Sequence, residues 1–292
     1  MIKETKKGPS VLDKISAAHM LFLFIPAFIA AVSLRQIQLM YAIEPETGFY
    51  AAGHFSVTAL AALLIAISVI YLIPALFSAK RKPIYTEHFN GASPVFLSGD
   101  YASVILLSAL GVAFLLFGGM DAYQALTSPG EIPVDRFVLG ILSVLASFSF
   151  MVMLNYRDEN SSGLKGFLSL MPVLWAAARL IFAFISHTSI ANISELLFEI
   201  LMMISCTLFL LYRSKAIIGM TQLRALACYS YLYLIFTGVS TLSALINRII
   251  SGTGSRQLEP GGVRDILLAL YVCLIIIKIL KYEKSDEFKA DW

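Results

Sequence analysis

Eight apolar stretches, separated by short turn-forming breaks, dominate the sequence and leave it one class of fold. A helix rising ~1.5 Å per residue needs roughly 20 mostly apolar residues to cross the hydrocarbon of a bilayer, where no water satisfies the backbone. The stretches run near His19 to Ala42, Phe55 to Phe77, Ala102 to Gly119, Arg136 to Asn155, Gly166 to Ser186, Ile193 to Tyr212, Ala225 to Ile246 and Asp265 to Leu280. The breaks hold Glu44-Pro45-Glu46-Thr47-Gly48, Pro83, Gly91 to Pro94, Ser128-Pro129-Gly130, Ser161 to Gly163 and Glu259-Pro260-Gly261-Gly262. These are residues that end helices or demand turns. The predicted fold is an all-α, polytopic transmembrane bundle of about eight spans, a single domain over residues 1–292. Composition agrees: 58% of the residues are apolar and 14% charged, against roughly 25% charged in ordinary globular proteins.

The basic residues set an orientation. Lys3, Lys6, Lys7, Lys14, Lys80, Arg81, Lys82, Arg157, Lys165, Arg213, Lys215, Arg224, Lys278, Lys281, Lys284 and Lys289 all fall at one set of helix ends, 16 of the 22 cations. Cytoplasmic loops carry such an excess. The N-terminal segment 1–17, the loop 80–101 and the tail 282–292 are therefore expected in the cytoplasm, with the chain in the cell membrane. The first stretch has the basic start and small residues (Ala30, Ala31, Ser33) of a secretory leader. Its apolar run is long for a leader, and removal would leave an odd number of spans, so retention is expected. The net charge of +3 says little about nucleic acid, because the basic residues gather on no one segment, and no nucleic-acid partner is expected.

Charge within a bilayer costs roughly 2.5–3.5 kcal/mol per residue on insertion scales, so each case needs a reason. Arg35 lies eight residues short of Ile43, Arg179 eight short of His187, and Glu199 seven beyond Asn192. At ~1.5 Å per residue all three sit about 10–12 Å below the outer boundary. Two readings follow. One Arg pairs with Glu199 to let helices pack while the other snorkels outward, or the layer is a pocket, open to the outside, for an anionic or zwitterionic group.

Neighbouring polar residues favour an interior face. Asn192, Glu195, Glu199, Met202 and Cys206 recur at three- and four-residue intervals, as do Ser230, Tyr233, Thr237, Ser240, Thr241, Ala244 and Asn247. Gln38 follows Arg35 by three, and Asp265 opens the last stretch near the outer boundary. The ligand-binding candidates are thus Arg35, Gln38, Arg179, Glu195, Glu199, Tyr233 and Thr237. The small residues of stretch two (Thr58, Ala61, Ala62, Ala66) and stretch three (Gly111, Gly118) suit close helix packing.

No cofactor is expected: the sequence holds no Walker motif and no GxGxxG. His19, His54, His88 and His187 fall on four segments without HExxH spacing, so no metal is expected either. No GxSxG is present, and Glu195 with Glu199 is the one acid–base pair on a single face. Cys206, Cys228 and Cys273 read as free, buried thiols.

The stretches Leu34-Arg35-Gln36-Ile37-Gln38-Leu39 with Glu44-Pro45-Glu46-Thr47-Gly48-Phe49, and Pro172-Val173-Leu174-Trp175 with Arg179-Leu180, resemble uncharacterised multi-pass membrane proteins of anaerobic Gram-positive bacteria over about a quarter of the chain. The resemblance implies no activity and no site residue. The function expected from the residues is that of a transporter, or a transporter-like binding subunit, for a small polar or anionic solute. The alternatives are a non-catalytic receptor or assembly subunit that meets a protein partner at the loop Lys80 to Tyr101, and an intramembrane enzyme acting on lipid.

Overall fold

The computed structural model describes residues 17–43, 50, 53–79, 84–85, 100–130, 132–155, 162–186, 193–218, 220–251 and 260–283. Most of them are helical, and two short antiparallel strands are present as well. Helix α1 (Ala17–Ile37) runs into a π-turn at Gln38–Ala42; α2 is Phe55–Ala79, α3 Tyr101–Thr127 and α4 Val134–Val152. Helices α5 (Ser162–Ser169) and α6 (Met171–Ser186) share one apolar stretch, and α7 is Ile193–Ile217. Helix α8 (Leu223–Thr237) passes through a second π-turn, Gly238–Leu242, into α9 (Ser243–Ser251), and α10 is Pro260–Glu283. Seven of these helical stretches are long and apolar enough to cross a membrane. The protein is a multi-pass membrane protein.

Local chemistry accounts for the interruptions. Pro172 lacks a backbone N–H and its ring crowds the preceding turn, which separates α5 from α6 at Leu170. Gly130 turns the chain between α3 and α4 at φ +114°, a conformation that a side chain would resist. Pro260 opens α10, where a missing N–H costs nothing.

Helix α8 is the axis of the bundle. All fifteen of its residues are buried, as expected for a helix surrounded by other helices. It packs against α1, α2, α7 and α10, and α3 pairs closely with α4 at the side. Strand β1 (Ile84–Tyr85) pairs antiparallel with β2 (Met220–Thr221), so the segments after α2 and after α7 meet at one end of the bundle. We call that end proximal and the opposite end, where α1 finishes and α10 begins, distal. Helix α10 follows α3 along its length: Lys278 lies 3.9 Å from Asp100 at the proximal end, and Arg264 lies 3.1 Å from Asp121 at the distal end.

Three sequence expectations are corrected. The small residues Ala61, Ala62 and Ala66 face outward, and α2 buries Leu60, Leu64, Ile67, Tyr71 and Ala75 instead. Lipid tails are as apolar as a protein core, so an apolar helix has little reason to prefer one face. Arg213 and Arg224, counted with the loop cations, are both buried. Cys206 and Cys228 are buried, but Cys273 is exposed on α10. The N-terminal segment, most of the loop 80–101 and the tail lie outside the described residues.

Candidate polar site at the distal end

Five charged side chains from four helices meet at the distal end in alternating order. At the centre, Arg179 of α6 grips Asp265 of α10 with both terminal nitrogens: Nη1 to Oδ1 at 2.5 Å and Nη2 to Oδ2 at 2.8 Å. Two parallel N–H···O contacts are the strongest form such a pair takes. The Asp265 side chain is 3% exposed and that of Arg179 18%. Glu199 of α7 stands 3.8 Å from Arg179 Nη2, beyond hydrogen-bond reach. On the other flank, Arg264 Nη2 meets Asp121 Oδ2 of α3 at 3.1 Å, while its Nη1 donates to Ser143 Oγ of α4 at 3.0 Å. Ser143 in turn donates to the Phe114 carbonyl at 2.9 Å.

Trp175 organises the row from below. It is almost fully buried, and both guanidiniums lie over its ring at 5.6 Å, within the range where an aromatic face attracts a cation. Tyr233 of α8 donates its hydroxyl to the Asp265 backbone carbonyl at 3.1 Å. Thr237, one turn further along α8, is buried beside the second π-turn.

Arg35 belongs to an adjoining cluster. Its Nη1 donates to Gln38 Oε1 at 3.1 Å and to the Tyr50 hydroxyl, and its guanidinium lies 4.9 Å from the centre of the Phe198 ring. Gln38 Nε2 donates to the Ser56 carbonyl at 2.9 Å, which ties α1 to α2. The π-turn of α1 begins at Gln38 and that of α8 at Gly238. A π-turn leaves backbone groups out of the regular ladder; Ser243 Oγ donates to the Gly238 carbonyl at 2.9 Å and Gln36 Nε2 to the Ser243 carbonyl at 2.8 Å. Gln36, two residues before the first π-turn, is thereby tied to Ser243, the residue after the second.

Of the three charges read as one layer, Arg179 stands 3.8 Å from Glu199, and Arg35 lies over the ring of Phe198, the residue before Glu199. The principal partner differs from the predicted one. Arg179 spends both nitrogens on Asp265 and meets Glu199 only at longer range. Glu195 falls in the first turn of α7, and its side chain is outside the described set. Asp121, Ser143 and Trp175 were missed by sequence reasoning. Asp121 lies two residues beyond the predicted end of its stretch, whereas α3 continues to Thr127.

Glu199 has an unusual position for its exposure. It sits in the middle of the arc of α7 that buries Met202, Met203, Cys206, Leu210 and Arg213. Its side chain is nevertheless 38% exposed. Ser240 and Thr241, both half-buried, approach Met202 Sδ at 3.1 and 3.5 Å across from it. Comparison with protein families, curated proteins and solved structures finds no match to this chain.

Proposed function

We propose that this protein is a transporter, or a transporter-like binding subunit, for a small polar solute that enters from the distal end. The observation that carries the reading is Glu199: a carboxylate on the core-facing arc of a spanning helix, exposed, with its nearest cation already engaged in a bidentate pair. A core-facing group becomes exposed only where the helices part, so the opening belongs to the bundle's distal mouth. A carboxylate there suits a solute with a protonated amine. With Arg179 committed to Asp265, the reading moves away from a purely anionic solute and toward a cationic or zwitterionic one.

The same reading takes the distal end as the outer face and gives the chain eight crossings of the cell membrane, both termini being cytoplasmic. The eighth crossing is α10, which carries more charge than the other seven. Its contacts with α3 near both ends of that helix support it, because a helix antiparallel to a spanning helix over that distance spans as well. The basic residues at the proximal helix ends support the orientation.

The test is a thermal-unfolding screen of the detergent-purified protein against amino acids, polyamines and quaternary amines, with Glu199→Gln alongside. A hydrogen-bonded charge contact contributes about 1.5–3 kcal/mol, so the substitution should raise the concentration needed for half-maximal stabilisation by at least about tenfold. The unfolding midpoint without solute should stay near that of the wild type. If no solute in the panel distinguishes the two proteins, the pocket reading fails.

A further inference from the structure

The proximal half of the bundle also holds a buried cation, in a different arrangement. Arg213 lies four residues before the end of α7 and is 1% exposed. Its Nε donates to the Tyr271 hydroxyl of α10 at 2.9 Å. Its guanidinium carbon lies 5.1 Å from the centre of the Phe150 ring of α4 and 5.3 Å from that of Tyr271, two rings set edge to face 6.4 Å apart. Nη1 and Nη2 are buried, and among the described residues neither has a hydrogen-bond partner or a carboxylate paired with it.

A guanidinium cannot shed its proton to escape burial, and a buried charge is tolerated when it is paired and its donors are satisfied. The two rings attract the cation and offer no oxygen or nitrogen acceptor to its terminal N–H groups. With Nε fastened to Tyr271, the free edge is the Nη1–Nη2 pair, two donors side by side in one plane. That edge matches two oxygens of one oxyanion. Ser149, the residue before Phe150, also keeps a buried hydroxyl without a partner. Arg224 at the start of α8 and the largely buried Lys278 on α10, which stands 3.9 Å from Asp100, lie toward the same end of the bundle. A doubly charged phosphate group gains more from the buried Arg213 cation than a singly charged carboxylate does.

We propose that Arg213 is the anchor of a phosphate-class oxyanion site within the proximal half of the bundle, separate from the distal polar site and independent of the solute reading. The phosphate group could belong to a free ion or to a lipid headgroup, and the chemistry of recognition is the same for both.

Thermal unfolding of the full-length protein, stripped of lipid in a neutral detergent, distinguishes them. Two probes are titrated: inorganic phosphate against chloride at constant ionic strength, and dihexanoyl phosphatidic acid against dihexanoyl glycerol, which has the same tails and no phosphate. At least one probe should raise the wild-type unfolding midpoint in a saturable way. Arg213→Lys keeps the charge but loses the two-pronged edge, and should need about tenfold more of that probe. A response to phosphate assigns the site to a free ion, and a response to phosphatidic acid alone assigns it to a headgroup. Should Arg213→Lys fail to fold, Tyr271→Phe takes its place: it unfastens Nε and should weaken the response severalfold. A wild type moved by neither probe, or variants that respond at the same concentration as the wild type, would overturn the proposal.

Discussion

Arg179→Ala is expected to destabilise the protein by about 3–5 kcal/mol, the usual cost of removing one partner from a buried ion pair. The carboxylate left behind, Asp265, is almost wholly buried and loses both of its guanidinium contacts at once. Glu199 loses its nearest cation in the same step. Five alternating charges become three carboxylates facing Arg264 alone. Asp265→Ala should be milder, because the stranded Arg179 can draw in Glu199, already 3.8 Å away, and still has the Trp175 face. Glu199→Gln should be milder again, since its contact is long and partly exposed. Combining Arg179→Ala with Asp265→Ala should recover much of the loss, because neither charge then remains to be buried. Unfolding midpoints of the four proteins in one detergent measure the order. Simple additivity of the two single substitutions in the double variant would refute coupling through the pair.

The helices were legible because apolar length is written directly in the sequence: each predicted stretch corresponds to a helix or to two consecutive ones. The partner of Arg179 was not legible, for a reason specific to α10. Apolar character begins at Asp265, so the carboxylate read as a boundary residue. The helix itself begins at Pro260, and five residues at ~1.5 Å carry Asp265 about 7 Å inward. Asp121 was lost in the mirror-image way, since α3 outlasts its apolar run by eight residues. A buried salt bridge near a helix end thus disguises itself as the end. Arg213 was misplaced similarly, as a loop cation beyond Tyr212, when α7 continues to Ile217. The two π-turns carry no comparable sequence signal. The second lies where the chain approaches α1: a Cβ on Gly238 would lie 2.5 Å from the Phe28 ring.

The tight α3–α4 pair supplies the other large effect. Gly140→Ala should lower stability by about 1–3 kcal/mol or more, as overpacking does where no atom can yield. The added Cβ would lie 2.7 Å from the Ala122 nitrogen and 2.8 Å from the Gly118 carbonyl oxygen. Both are backbone atoms of a helix, so relief requires the helices to separate. Separation would also pull Ser143 away from the Phe114 carbonyl and loosen its hold on Arg264, which ties the packing of this pair to the charge row above it. Gly119→Ala is the matched control one residue along α3 from Gly118: nothing lies within 4 Å of its Cβ. That change should be neutral or should stabilise by up to about 1 kcal/mol, through the lower backbone entropy of alanine in a helix. Gly111→Ala should fall between them, because its Cβ meets Met151 Cγ at 2.9 Å and a methionine side chain can move aside. Thermal midpoints should therefore rank Gly119→Ala first, Gly111→Ala next and Gly140→Ala last. Equal midpoints for the first and last would mean that the two helices do not approach at Gly140 as closely as the backbone contacts require.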